Sequence, residues 1–176
     1  YLEELQEKGL IENFTYESVK FELTPKVTFP YTKITKLKTK TKREEKEKTL
    51  FQPMGYTPDF IINFDPTANL IAGMPDKFRT FITSKSTMTC FVDVKPSFAR
   101  STNSTNWTFP IKQKMMYHIH RIYVQKIIVW DLFEKTFTPQ NVIAEEVYKR
   151  DCKHGKQGEL KLKYKPKLLD EWLKEL

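Results

Sequence analysis

Two short apolar runs constrain this chain more than any other feature. Residues 60–64 read Phe-Ile-Ile-Asn-Phe, and residues 88–95 read Met-Thr-Cys-Phe-Val-Asp-Val-Lys. Runs of this length, rich in β-branched and aromatic side chains, fit central strands. A central strand needs neighbours on both sides and layers on its faces, so the rest of the chain must supply a sheet and helices. Asp93 interrupts the second run. A carboxylate there is costly unless it is paired or holds a cation.

The remaining segments supply candidates. Residues 1–8 read as the end of a helix with Leu2 and Leu5 on one face, and Gly9 is a natural C-terminal stop. Strands are expected at 11–16 and at 19–23, the latter ending before Pro25. Residues 33–48 carry eight basic residues and three glutamates, a pattern read as an exposed basic hairpin or loop over 33–49. A long insertion is expected at 66–87, with its own strand near 78–83, and a Ser/Thr/Asn-rich loop at 97–106. Residues 112–121 predict a helix. Its Ile111, Met115, Ile119 and Ile122 would share one stripe, and Lys114, His118 and Arg121 another. A strand is expected over 123–130 and a terminal helix over 168–176. The class is therefore α/β or α+β, with a core over 1–139 and a basic helical extension over 140–176.

The chain has 176 residues, enough for one sizeable core. Lysine and arginine outnumber the acids 30 to 22, for a net charge of +8. That balance favours a polyanion such as nucleic acid or an anionic membrane surface. No stretch is long and apolar enough to span a bilayer, and no signal-peptide pattern is present, so a cytoplasmic location is expected. The chain opens on Tyr1 rather than methionine, and a piece of a longer protein is expected. Cys90 and Cys152 form no metal-type spacing, and the compartment is read as reducing. The N-x-S/T triplets at Asn13, Asn103 and Asn106 are read as incidental. The five glycines form neither a phosphate loop nor a dinucleotide fingerprint, which argues against a nucleotide cofactor.

The strongest constellation joins Tyr56-Thr57-Pro58-Asp59-Phe60 to Phe91-Val92-Asp93-Val94-Lys95. Asp93 and Lys95 are two apart, so they leave the same face of a strand. If the strand after Asp59 pairs beside them, two carboxylates and an ammonium converge. Adjacent carboxylates repel unless a cation sits between them, and Mg²⁺ prefers oxygen ligands while keeping several waters. Lys95 would orient an attacking water or stabilise charge on a phosphate.

The Pro58-Asp59 pair, a linker and Asp93-Val94-Lys95 resemble the PD-(D/E)xK nuclease motif. The stretch Leu2-Glu3-Glu4-Leu5-Gln6-Glu7-Lys8-Gly9, followed by Phe14-Thr15-Tyr16-Glu17, is similar to the helix and first strand of phage endonuclease I. Tyr56-Thr57-Pro58-Asp59-Phe60 is similar to that family's metal-binding strand. RecU-type junction resolvases and TnsA-type transposon endonucleases share this core. The resemblance covers roughly residues 1–139. It implies a restriction-endonuclease-like fold: a mixed central sheet flanked by helices, in the order helix, strand, Pro-Asp strand, Asp-x-Lys strand, helix, strand. It implies Asp59, Asp93 and Lys95 as catalytic residues. The ligands of Mg²⁺, or of Mn²⁺ in its place, would be Asp59, Asp93 and the backbone carbonyl of Val94. The helix after the motif would lie beside the active site, so that Lys112, Lys114, His118 and Arg121 touch phosphates. Lys38, Lys40 and Lys42 of the basic segment would add to DNA binding.

A helix glutamate usually completes such a site. It is expected about three helical turns before Gly9, upstream of Tyr1. Glu3 or Glu4 could substitute, although their spacing to Gly9 is short and a solvated helix face is the competing reading for both.

The leading expectation is a metal-dependent endonuclease acting on double-stranded or branched DNA such as a four-way junction, of phage or mobile-element type and compatible with a homodimer. The alternative is a non-catalytic DNA-binding or assembly protein with the same fold. A lesser alternative is a nickase using His118-Ile119-His120, which would need those residues on a strand. An RNA-binding module would need aromatic stacking residues on a sheet, and the sequence shows none in evident array.

Overall fold

The computed structural model describes residues 1–65, 88–95, 104–144, 162 and 164–176. The expected insertion at 66–87, its strand near 78–83, most of the loop at 97–106, and Asn103, Cys152 and His154 lie outside the described residues.

The first helix, α1 (Leu2–Glu7), ends as its sequence requires. Gly9 takes φ +70°. Its N–H donates to the Gln6 carbonyl at 2.9 Å, and the Leu10 N–H donates to the Leu5 carbonyl at 2.9 Å. This paired closure needs a left-handed residue, which glycine adopts without steric cost. It turns the chain directly into β1 (Ile11–Tyr16).

The central sheet has four strands in the order β1, β6 (Phe60–Phe64), β7 (Thr89–Lys95), β8 (Val124–Ile128). β1, β6 and β7 pair antiparallel, while β8 runs parallel to β7. The parallel connection is made by α2 (Ser104–His120), as a crossover between parallel neighbours requires. The molecule is thus mixed α/β, with a mixed central sheet flanked by helices.

Side chains alternate across β7. Cys90, Val92 and Val94 face a core containing Leu5, Ile11, Ile62, Phe64 and Phe137. Phe91 faces a second core with Leu23, Tyr56, Phe109, Met116 and Val124. The C-terminal helix α4 (Leu169–Leu173) belongs to the first core. Its Leu169 and Trp172 are buried there, and Trp172 packs against Phe137 at 5.7 Å.

Between β1 and β6 the chain makes two nested hairpins. β2 (Phe21–Thr24) pairs with β5 (Met54–Tyr56) as a short stem. From that stem projects an antiparallel ribbon of β3 (Val27–Lys36) and β4 (Thr41–Phe51), which contains the segment expected over 33–49 as a basic hairpin or loop and extends beyond it on both sides. Nearly every side chain of the ribbon is exposed.

Several expectations need correction. The second strand begins at Phe21 rather than Val19. The last strand stops at Ile128, and the chain continues as helix α3 (Val129–Lys135). A short apolar run such as Ile127-Ile128-Val129-Trp130 carries no period that separates strand from helix. α2 begins at Ser104, well before Lys112, and contains Pro110. Its buried stripe is rotated from the expected one. Phe109 and Met116 are buried, whereas Ile111 is 60% and Ile119 45% exposed. Arg121 is not part of the helix. It takes φ +59°, and its N–H donates to the Tyr117 carbonyl at 3.0 Å, ending α2. No helix among the described residues is long and apolar enough to cross a membrane.

Candidate active site

Pairing in the central sheet sets the site. Phe60 lies opposite Val92 in the β6–β7 ladder. Continuing that register one step places Asp59 opposite Asp93. Pro58 is fully buried and fixes the approach to β6. Two further bonds hold Asp59. Its carbonyl accepts from the Glu17 N–H at 2.9 Å, and its Oδ2 accepts from the Val94 N–H at 2.5 Å. The three residues expected to carry chemistry are therefore brought together at one end of adjacent central strands.

Asp93 is 3% exposed. The Lys95 ammonium contacts its Oδ2, two residues along the same strand face. No hydrogen bond of full geometry otherwise satisfies that oxygen. Lys95 also stands over the Phe109 ring, 5.6 Å from its centroid. The Asp59 carboxyl is raised above the ordinary aspartate range. Burial is the main cause, the Val94 N–H opposes it, and the Asp93 charge adds to it. A cation between the two carboxylates would relieve both the burial penalty and the repulsion.

Two neighbours were not singled out from the sequence. The buried Tyr56 hydroxyl sits beside Asp93 without a fully formed hydrogen bond. Burial, then the Asp93 and Asp59 charges, push its ionisation far above the usual phenol range. It stays a neutral donor. Lys126 pairs with Asp93 across the parallel β7–β8 ladder, which puts both on one face. Neither residue has a local signal: Tyr56 is brought there by packing in the second core, and Lys126 by the parallel ladder.

The proposed phosphate-contacting residues separate into two groups. Lys112 lies over the ring of Tyr56, 5.8 Å from its centroid, on the residue whose hydroxyl sits beside Asp93. Lys114 and His118 of α2, with Arg121 just beyond its end, line a separate groove with Tyr117 and Tyr123. Lys38 and Lys40 sit in the turn at the tip of the ribbon, closed by the Leu37 N–H donating to the Lys40 carbonyl at 2.8 Å. Lys42 is on β4, paired with Glu44.

Glu3 and Glu4 do not join the aspartates. Glu4 accepts from the Gln140 N–H at 2.7 Å. Glu3 borders an apolar cavity on the Val94 side of the sheet. Among the described residues no third His, Cys, Asp or Glu completes a metal-binding group with Asp59 and Asp93. The His-hydrophobe-His nickase reading is not supported by the geometry. Both histidines lie on a helix rather than a strand, and His120 Nε2 is 2.8 Å from the Glu22 carbonyl.

Comparisons of the chain with protein-family models, with curated proteins and with solved structures return no match.

Proposed function

We propose that the protein is a Mg²⁺-dependent DNA endonuclease with a restriction-endonuclease-like core, selective for branched DNA such as a four-way junction. The observation that carries this reading is the register placing Asp59, Asp93 and Lys95 at neighbouring ends of β6 and β7. The order α1, β1, β6, β7, α2, β8, once the nested hairpins are set aside, supports it.

The residues fit a hydrated divalent cation. Asp59 and Asp93 offer hard oxygen donors, and burial, followed by the Asp93 charge, raises the Asp59 carboxyl, so that a bound cation would offset both. The Val94 carbonyl is the third candidate ligand. When bound, Mg²⁺ would supply Lewis acidity toward a phosphate oxygen and toward water, and Mn²⁺ could replace it.

The chain's own groups do the rest. Lys95 would leave its contact with Asp93 and place its ammonium against the phosphate or the attacking water. The neutral Tyr56 hydroxyl would donate to an oxygen in the same space. Lys112 would hold a flanking phosphate.

The second reading is a non-catalytic DNA-binding protein. It is favoured by the Lys95–Asp93 ion pair and by the lack of a third carboxylate among the described residues. One experiment separates the two. The purified protein and its Asp93→Ala variant are incubated with branched, linear and single-stranded DNA, in Mg²⁺ and in chelator. Mg²⁺-dependent cleavage of branched DNA, lost in Asp93→Ala while DNA binding persists, is the expected result. DNA binding without cleavage under any condition would favour the second reading.

A further inference from the structure

The β3–β4 ribbon has two unlike faces, and strand pairing reveals them. Residues directly opposite in an antiparallel pair share a face. Phe29 pairs with Lys48, Tyr31 with Lys46, Lys33 with Glu44, and Thr35 with Lys42. This face therefore carries two aromatic rings, four lysines and one glutamate. The other face pairs Pro30 with Glu47, Thr32 with Glu45, Ile34 with Arg43, and Lys36 with Thr41. There two basic residues meet two acidic ones. The sequence hides the division, because Lys42 to Lys48 looks like a mixed run until alternation sorts it.

The first face is also unprotected. Phe29 is 57% and Tyr31 42% exposed. Glu44 forms ion pairs with Lys42 and Lys46, so it holds those lysines in place on that face. A two-stranded ribbon alone is only marginally stable in water, and exposed aromatics beside lysines are a surface suited to a partner.

The stem ties this ribbon to the candidate site. Phe21 of β2 packs edge-on against Phe91 of β7 at 5.9 Å and lies 5.2 Å from His120. His120 in turn reaches the Glu22 carbonyl. β5 ends at Tyr56, three residues before Asp59.

We propose that the Phe29–Tyr31–Lys33–Lys42–Lys46–Lys48 face is a platform for an unpaired DNA strand, which the stem tethers to the strand ends carrying Asp59 and Asp93. Phe29 and Tyr31 are two residues apart on one face, about 7 Å along the strand. Each ring offers a stacking surface that any base accepts, and the lysines follow the phosphates. Charge decides the occupant: the aromatic face is strongly cationic and the opposite face is balanced. This rests on the nuclease reading and narrows it: among branched DNAs the platform favours those with an unpaired strand, such as a flap or fork, whereas a four-way junction can be fully paired.

The test uses the full chain with chelator present, so that no cleavage intervenes. Anisotropy of a labelled oligothymidylate of about 16 nucleotides is compared with that of a blunt duplex. The Phe29→Ala/Tyr31→Ala variant should lose oligothymidylate affinity about ten-fold or more and lose little for the duplex. Lys36→Gln/Arg43→Gln, on the opposite face, should weaken binding far less than Lys33→Gln/Lys46→Gln/Lys48→Gln. Should the alanine variant melt early, Phe29→Tyr/Tyr31→Phe must keep wild-type binding. The proposal is overturned if the alanine pair binds oligothymidylate like wild type, or if both faces matter equally. It is also overturned if wild type sediments as a dimer that the alanine pair dissociates, since a second copy would then cover the face. Failure here leaves the cleavage assay untouched. Failure of that assay leaves this binding result standing.

Discussion

Replacing Lys95 with methionine tests how the site is held and what it is for. Methionine keeps a flexible apolar stem but removes the ammonium, and with it both the ion pair to Asp93 and the cation–π contact with Phe109. Removing one partner of a buried ion pair costs about 3–5 kcal/mol, because the other charge is left unpaired in a poor solvent. Asp93 is 5% exposed at its side chain, so that penalty applies to it nearly in full. The Lys95 side chain is 21% exposed, so some water already reaches the pair, and about 2–3 kcal/mol is the expected loss. For a chain of this size that is a fall in Tm of about 4–12 °C. The assay is thermal and urea unfolding of wild type and Lys95→Met, each with Mg²⁺ and with chelator. If the two aspartates form a cation site, Mg²⁺ should return part of the loss. At ten times its dissociation constant the gain is about 1.4 kcal/mol. Wild type should gain less, since its own ammonium competes for Asp93. Equal stability of the two proteins, or a Mg²⁺ response identical in both, would refute the reasoning.

Three further predictions concern other parts of the molecule. Because the folded Asp59 carboxyl is raised, the native state holds its proton more tightly than the unfolded chain. Stability therefore falls as pH rises from the unfolded aspartate value of about 3.9 through the folded one, and the penalty persists above that. Asp59→Asn, which keeps an oxygen for the Val94 N–H, should melt higher than wild type at neutral pH, and the advantage should vanish below about pH 3.9. Trp172→Ala should cost about 3–5 kcal/mol in urea unfolding, since the indole is 2% exposed in the main core. Lys38→Gln/Lys40→Gln/Lys42→Gln should flatten the dependence of log affinity for duplex DNA on log salt by up to about 3. An unchanged slope would mean these lysines meet no phosphate.

Elements whose signal is local were legible in the sequence. Gly9 marked the end of α1 because a left-handed residue was needed there. β6 and β7 were legible because apolar runs of that length have few other fates. The aspartates were legible because Asp93 breaks such a run and Pro58 precedes Asp59. What failed depended on tertiary context. The Ser/Thr/Asn-rich approach to α2 resembles a loop until Phe109 finds Tyr56 and Met116 in the second core. The extension after residue 139 reads as basic and amphipathic, and its terminal helix was legible, but not that Leu169 and Trp172 join the first core. Tyr56 became visible only when packing of the second core set its hydroxyl beside Asp93, and Lys126 only when the β7–β8 ladder paired it with Asp93.

The nesting of the ribbon within the stem has an architectural consequence. The stem ladder reaches Thr24 paired with Met54. Four residues, Pro25, Lys26, Gln52 and Pro53, separate that rung from the ribbon on its two sides. If Val27–Phe51 were removed and the ends joined, those four would form a loop of ordinary hairpin length. The stem, the central sheet and both cores would keep every rung they now have. The ribbon is thus a cassette: it can be lengthened, exchanged or deleted at one seam while the machinery at Asp59 and Asp93 keeps its scaffold.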